Sequence, residues 1–477
     1  MRKIRFGQFF TPAPIARFMA DLFAPHRGGV CRLLDPGAGL GSLSIAFLER
    51  WSRDDMGCPG VELDAFEIDA CLCPHLRHVL GKFRETRRVS VTIRDADFIK
   101  SATERLGGSL FSQPLPRYTH AILNPPYKKI RGDSEHRMAL RSVGIETVNL
   151  YSAFVALSLC LLEDDGQLVA VVPRSFCNGP YYRPFREFIL TRAALRHIHL
   201  FESRSRAFKD DGVLQENIII RLERGGQQGP VVVSTSTDGA FADLATHEYP
   251  FGRIVFPDDA EQFIHVPASP EESALESVAT VRHSLPDVGI AVSTGPVVDF
   301  RLREHLRDMP DRGTVPLLYP AHFSTGEATW PIVGLKKPNA IQRNDKTERW
   351  LHPNGYYCVV RRFSAKEEKR RIVASVVDPN LFGGATALGF ENHLNLFHEN
   401  KRGLPQALAR GLAAFLNTAA VDEAFRRFSG HTQVNATDLR LMKYPSRDAL
   451  IQLGEWAMRQ ENLTQALVDA RLGALTG

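Results

Sequence analysis

The first half of this sequence predicts an α/β fold built on a mostly parallel, doubly wound sheet. Three observations carry that expectation: apolar runs alternating with helix-length segments, a glycine cluster behind the first run, and acidic or amide residues at the ends of others. The runs are Val30–Leu34, Val61–Ile68, Val89–Ile93, Thr119–Leu123, Gln167–Val172, Leu195–Phe201 and Asn217–Leu222. Ser42–Trp51 and Asn149–Leu162 have helical periodicity between them. Sheets of this kind bind ligands beyond the carboxyl ends of their strands. Asp35, Glu67, Asp97 and Asn124 all fall at such ends.

Composition excludes several classes. With 477 residues, 44% apolar and 24% charged, the chain has the balance of a folded protein of two or three domains. Its net charge of +5 permits an anionic partner without requiring one. The longest apolar stretch, Tyr151–Leu162, ends at Glu163-Asp164-Asp165 and is shorter than the ~20 residues a membrane span needs. The first ten residues lack a signal-peptide core, and the seven cysteines are an odd number. A cytoplasmic protein without a disulfide framework is expected.

The Gly-rich, polar segment Glu223–Pro230 marks the expected domain boundary, separating residues 1–224 from residues 231–477. Beyond it the alternation fades into short strand-like runs and one long helical stretch, Leu404–Phe428.

Asp35-Pro36-Gly37-Ala38-Gly39-Leu40-Gly41 lies between a strand and a helix. Glycines there allow positive φ and close approach of a ligand to the backbone; a tight turn would also use them. The spacing fits neither a Walker A loop nor the dinucleotide G-x-G-x-x-G. Glu67, about one βαβ unit further on, is placed to accept ribose hydroxyls. Asp97 can accept an adenine amino hydrogen, with Phe98 against the ring. In combination these residues point to an adenosine-containing cofactor.

Asn124-Pro125-Pro126-Tyr127 is the most specific signal. Each proline fixes its own φ and removes a donor, and Pro125 holds Asn124 extended. The stiff loop offers the Asn124 side-chain oxygen and the Pro125 carbonyl as two acceptors, with Tyr127 as an aromatic face. That set suits a planar ring bearing an exocyclic amine, whose lone pair becomes available when both its hydrogens are accepted.

With these motifs in this order, the chain resembles the gamma-class, S-adenosylmethionine-dependent DNA adenine-N6 methyltransferases of type II restriction–modification systems. The C-terminal segment Ser429–Arg440, with Lys443-Tyr444-Pro445, is similar to the PstI- and BsuBI-type modification methylases. The resemblance implies a seven-stranded Rossmann-like methyltransferase sheet in 1–224 and a mixed α+β target-recognition domain in 231–477. Only about 80 residues separate Gly41 from Asn124, which is why recognition is expected after the catalytic part.

It further implies that Phe6–Pro12, with Gln8, Thr11 and Pro12, holds the methionine end of S-adenosylmethionine. Asp35, Pro36, Gly37, Gly39, Gly41, Glu67, Asp97 and Phe98 complete the cofactor site. Asn149–Phe154 and Val171–Phe176 border the cofactor and target pockets. Asn124, Pro125, Pro126 and Tyr127 form the catalytic loop. Phe208, or alternatively Phe201, is expected to stack on an adenine flipped out of duplex DNA, core packing being the other role open to either. Lys128, Lys129 and Arg131, with the cluster Arg361, Arg362, Lys366, Lys369, Arg370 and Arg371, are expected to meet phosphates.

The partners implied are double-stranded DNA and a separately encoded restriction endonuclease, the enzyme itself acting as a monomer. Methyl transfer to RNA or to protein glutamine, and a DNA-binding protein on a methyltransferase scaffold, are the competing readings. Cys71, Cys73, His75 and His78 have a C-x-C-x-H-x-x-H spacing that matches no common zinc site, so no metal is expected.

Overall fold

The computed structural model describes residues 11–26, 28–53, 55–85, 88–108, 117–202, 216–257, 259, 261–267, 281–323, 328–364, 368–428, 433–461 and 463–474. Two compact units divide the chain, Met1–Ala268 and Ser269–Gly477.

In the first unit, β1 (Cys31–Pro36), β2 (Val61–Glu67), β3 (Val89–Asp95), β4 (Tyr118–Leu123) and β5 (Leu162–Pro173) pair in parallel, in the order β3-β2-β1-β4-β5. β6 (Ala193–Phe201) and β7 (Asn217–Arg224) follow, with β7 antiparallel to both β5 and β6. The order reverses between β1 and β4, the place where such sheets open a ligand crevice.

Alternate residues explain the continuous apolar runs. Leu33, Val169 and Val171 belong to one core, while Leu34, Leu168, Ala170 and Val172 belong to the other. Both faces of the sheet are therefore covered, which parallel strands require. Helices α1 (Ala13–Asp21), α2 (Ser42–Ser52) and α3 (Cys73–Gly81) supply the first core. Helices α4 (Phe98–Gly107), α5 (Glu135–Ser142), α6 (Leu150–Leu161) and α7 (Arg183–Arg192) supply the second. α6 is apolar nearly all round because it is buried nearly all round.

Each of the seven runs singled out in the sequence is a strand of this sheet, but the sheet has nine strands among the described residues. β8 (Val231–Ser236) adds in parallel to β6, and β9 (Ala245–Tyr249) adds antiparallel to β8. The boundary expected at 224–231 thus lies inside the first unit, and the division falls after Ala268. The polar segment is a connection within the sheet: Gln228 is bonded at both ends of its amide to Leu195 of β6.

The second unit is mixed α+β. A four-stranded sheet joins β10 (Ala291–Thr294), β15 (Tyr357–Arg361), β16 (Ala374–Val377) and β18 (Leu394–His398), in the order β10-β18-β15-β16. A five-stranded sheet of order β11-β13-β12-β17-β14 joins Leu306–Arg307, Thr314–Leu318, Ala340–Gln342, Leu351–Pro353 and Ala387–Phe390, numbered β11, β12, β13, β14 and β17 along the chain.

The helical stretch expected over Leu404–Phe428 is two helices, α8 (Gln406–Leu416) and α9 (Ala419–Phe428). They break at Asn417, whose side chain leaves the helix to bond both backbone groups of Ala374 on β16. α10 (Ala436–Leu441), α11 (Arg447–Met458) and α12 (Gln465–Ala474) complete the unit. α8 and α11 cross at Gly411 and Gly454, so closely that a Cβ on Gly454 would lie 1.7 Å from the Ala407 carbonyl oxygen. No helix among the described residues is long and apolar enough to cross a membrane.

Candidate active site

The turn after β1 is built for close approach. Gly37, Gly39 and Gly41 all have positive φ, at 90°, 56° and 86°. The Gly37 and Ala38 N–H groups donate to the Phe66 carbonyl at the end of β2, at 2.9 and 2.8 Å. Gly41 opens α2, and a Cβ there would meet Leu76 at 2.9 Å. The glycines therefore serve the tight turn and leave its outer side open to a ligand.

Three carboxylates surround this turn in different states. Asp35 is fully buried; one oxygen accepts from Ser44 Oγ at 2.5 Å, and Oδ1 has no hydrogen-bond partner among the described residues. Burial pushes its carboxyl up to about 7; the Ser44 hydrogen bond opposes that rise and the nearby Glu67 charge adds to it. Glu67 Oε2 accepts from Gly39 N at 2.8 Å and Oε1 from Asp69 N at 2.7 Å. Both oxygens, expected to face ribose hydroxyls, thus already hold backbone. Burial raises the Glu67 carboxyl, against the pull of those N–H groups.

Asp97 caps α4, its Oδ1 accepting from Ile99 N at 2.9 Å and Lys100 N at 3.3 Å. Its Oδ2 lies 2.6 Å from His136 Nε2. Burial would raise this carboxyl, but the hydrogen bond and charge of His136, with the cap N–H groups, hold it below the usual range. Phe98 is buried edge-on against Phe66 and tilted against Phe154.

A pocket of about 390 Å³ gathers Gly37, Gly39, Glu67, Asp97, Phe98, Asn124, Pro126 and His136. The glycine loop, two acidic strand ends and the prolyl loop thus share one cavity. Leu150 and Phe154 of α6 also line it. Asp35, Pro36, Gly41, Thr11, Pro12, Pro125 and Tyr127 are not in its wall.

Asn124 ends β4 with its amide held at both ends. Nδ2 donates to Thr11 Oγ1 at 3.1 Å, and Oδ1 accepts from the Tyr127 hydroxyl at 3.2 Å. Thr11, expected at the methionine end of a cofactor, is thus a partner of the prolyl-loop amide, and Pro12 is the N-cap of α1. Tyr127 also reaches the Val171 carbonyl at 3.4 Å and packs edge-on against Tyr151.

Lys128, Lys129 and Arg131 are exposed and line the pocket rim. Of the second motif, Arg174 forms a buried 2.8 Å ion pair with Glu216. Phe201 is a core residue, 3% exposed and packed on His199 and Phe241, which removes it as a stacking residue. Phe208, Gln8, Lys366 and residues 429–432 lie outside the described residues.

The basic cluster of the second unit is more structural than its composition suggests. Arg370 donates to Gln465 and to the carbonyls of Asn417 and Thr418 at the α8–α9 break, and Arg371 is buried over Phe425. Arg361 pairs with Glu368, and Arg362 donates to the Asn392 carbonyl and Gln433. Lys369 is exposed. Cys73 is buried whereas His75 and His78 are exposed, and no group of three metal-ligating side chains occurs among the described residues. Sequence reasoning missed His136, which belongs to no motif; the structure shows it in the first turn of α5, behind the Ser134 cap.

A family model described as Eco57I restriction-modification methylase matches residues 117–208. The Type II methyltransferase M.BsuBI of Bacillus subtilis is 51% identical over 476 residues, covering 99% of this chain and 94% of that protein. The Type II methyltransferase M.PstI of Providencia stuartii is 43% identical over 453 residues, covering 94% and 88% respectively. Among solved structures, the DrdV–DNA complex is 13% identical, covers 96% of this chain and 57% of that one, and has a TM-score of 0.49.

Proposed function

The chain belongs to the Type II methyltransferases of restriction–modification systems, and on that premise we propose that it methylates N6 of an adenine flipped out of duplex DNA, with S-adenosylmethionine as donor. The observation that carries this reading is that Asn124 and Pro126 line the same pocket as Gly37, Glu67 and Asp97.

The residues present fit the cofactor. Asp35 Oδ1 is a buried carboxylate oxygen without a partner among the described residues, which suits a cationic methionine end nearby. Glu67 would take the ribose hydroxyls, and Asp97 the adenine amine, with Phe98 against the ring. Bound there, S-adenosylmethionine supplies an electrophilic methyl group.

The chain's own work is holding and polarising the target. Thr11 holds the Nδ2 end of the Asn124 amide, which would keep Oδ1, its acceptor atom, for the target. An entering base exchanges its amine for the Tyr127 hydroxyl now on that oxygen. The Pro125 carbonyl is the second acceptor. Drawing both amine hydrogens into these bonds directs the nitrogen lone pair at the methyl group, so positioning and polarisation carry the rate without a general base, and the surplus amine proton leaves to solvent after transfer.

Extruding the base costs a few kcal/mol, which stacking on Tyr127 and on Phe208 would offset. Lys128, Lys129 and Arg131 would hold phosphates beside the pocket. Residues of the second unit, Arg361, Arg362, Lys369 and Arg370 among the basic ones, would contribute to target recognition, with Arg370 doing so by bracing α8 and α9. The functional partner would be a separately encoded endonuclease recognising the same site.

Incubation with S-adenosylmethionine and unmethylated plasmid DNA, followed by nucleoside analysis, tests the reading. N6-methyladenine is the expected product. N4-methylcytosine, or transfer only to RNA or protein, would overturn it.

A further inference from the structure

The chain between the prolyl loop and α6 folds into a neck. Ile130 N donates to the Val148 carbonyl and Leu150 N to the Lys128 carbonyl, both at 2.8 Å. Residues 131–147 therefore project as one closed excursion, anchored by Leu140 and Ile145 in the core. Its Arg131, Ser134 and His136 line the cofactor pocket. α5 begins there, capped by Ser134, and lies along α4 with two ties: Lys100–Glu135 and Asp97–His136, each 2.6 Å long.

The two ties are not equivalent. Lys100 and Glu135 are well exposed, so their pair contributes little. Asp97 and His136 are largely covered, at 21% and 31% side-chain exposure, and both face the pocket. Because Oδ1 of Asp97 is committed to capping α4, the orientation of Oδ2 decides what the carboxylate offers a ligand. His136 Nε2 is the group that sets it. The same excursion starts from the loop carrying Asn124, so one continuous segment borders both ends of the pocket.

We propose that His136 is a positioning residue for the cofactor: it orients Asp97 Oδ2 toward the adenine amine and forms the wall of the pocket at that end. This rests on reading the pocket as the S-adenosylmethionine site. Removing the imidazole leaves a half-covered carboxylate free to turn away, a loss of about tenfold in cofactor affinity for one charge-assisted hydrogen bond.

The pH dependence gives a signature that mere packing would not. Asp97 serves as a carboxylate, held low by His136, so affinity is full above its folded value and lost as pH falls through it. Without His136 that acid limb moves to higher pH. Lys100 on α4 and Glu135 on α5 also face the pair but are bound to each other, and Arg131 lies on the same pocket wall.

The test is calorimetric titration of the full-length protein with S-adenosylmethionine and S-adenosylhomocysteine from about pH 3.5 to 8, a window spanning ordinary carboxylate and imidazole values. His136→Ala should weaken both ligands about tenfold and raise the acid limb. His136→Gln, which keeps a donor near the Nε2 position, should recover most of the affinity at neutral pH, and in turnover the His136→Ala loss should fall on KM for the cofactor. Asp97→Asn should weaken binding in either background. If Asp97→Asn weakens binding while His136→Ala matches wild type at every pH, the role of His136 is overturned. If Asp97→Asn also binds normally, the pocket reading itself fails.

Discussion

Thr11 Oγ1 accepts a hydrogen bond from Asn124 Nδ2 at 3.1 Å, joining the start of α1 to the end of β4 across 113 residues of sequence. An amide can present either end to a ligand, and this bond decides which end. Thr11→Val keeps the shape and removes the acceptor. Single-turnover methylation should slow about 10- to 100-fold, with cofactor affinity within a factor of about three of wild type. A loss confined to cofactor affinity would return Thr11 to the cofactor site.

Asn124→Ala removes one of the two acceptors proposed for the amine. Loss of one preorganised partner predicts a fall in methyl transfer of at least about 100-fold. Binding of S-adenosylhomocysteine and of plasmid DNA, followed by fluorescence and gel shift, should persist. Near-normal turnover would dismiss the loop from catalysis.

With the methionine end seated beside Asp35 as proposed, cofactor uptake is expected to be proton-linked. Its buried carboxyl, at about 7, is mostly protonated at pH 6, and a cation beside it favours the ionised form. Affinity should therefore rise as pH increases through 7, with a proton released on binding near pH 6. Calorimetry in buffers of different ionisation enthalpy reads that release directly. In Asp35→Asn it should vanish.

The parts of the fold that were readable from sequence are those set by local pattern. Val169–Val172 is continuous because both sheet faces are buried, and the Asn-Pro-Pro-Tyr loop is legible because proline chemistry is local. Pairing across distance was not. Val231–Ser236 looks like the start of something new after a Gly-rich segment, yet it pairs with β6. Arg370 looks like a phosphate ligand until its guanidinium is found on the carbonyls that end α8. His136 meets Asp97 through a fold-back that no periodicity encodes.

His120 predicts acid sensitivity of the first unit. It is buried among Phe23, Phe47 and His26, and burial, with the nearby His26, Arg50 and Arg221 charges, lowers it to about 3 from 6.5. The unfolded chain binds its proton first, so its contribution is complete above about 6.5 and declines as pH falls towards 3. His120→Leu should flatten the stability loss between pH 6.5 and 4 in urea titrations. An unchanged slope would locate the acid sensitivity elsewhere.

Gly454→Ala should destabilise the second unit despite alanine's better helix propensity, worth about 1 kcal/mol. The added carbon meets the Ala407 carbonyl, which is backbone and cannot rotate away, so α8 and α11 must separate. A net loss of about 1–3 kcal/mol, seen as a lower thermal midpoint, is expected. A rise in that midpoint would contradict the close crossing.

The most direct measurement is a crystal structure of the protein with S-adenosylhomocysteine and a methylatable duplex. The account predicts the adenosine between Glu67 and Asp97, the sulfur facing the prolyl loop, and an extruded adenine whose amine reaches Asn124 Oδ1 and the Pro125 carbonyl. A ligand seated away from that loop, or an adenine left stacked in the helix, would contradict it.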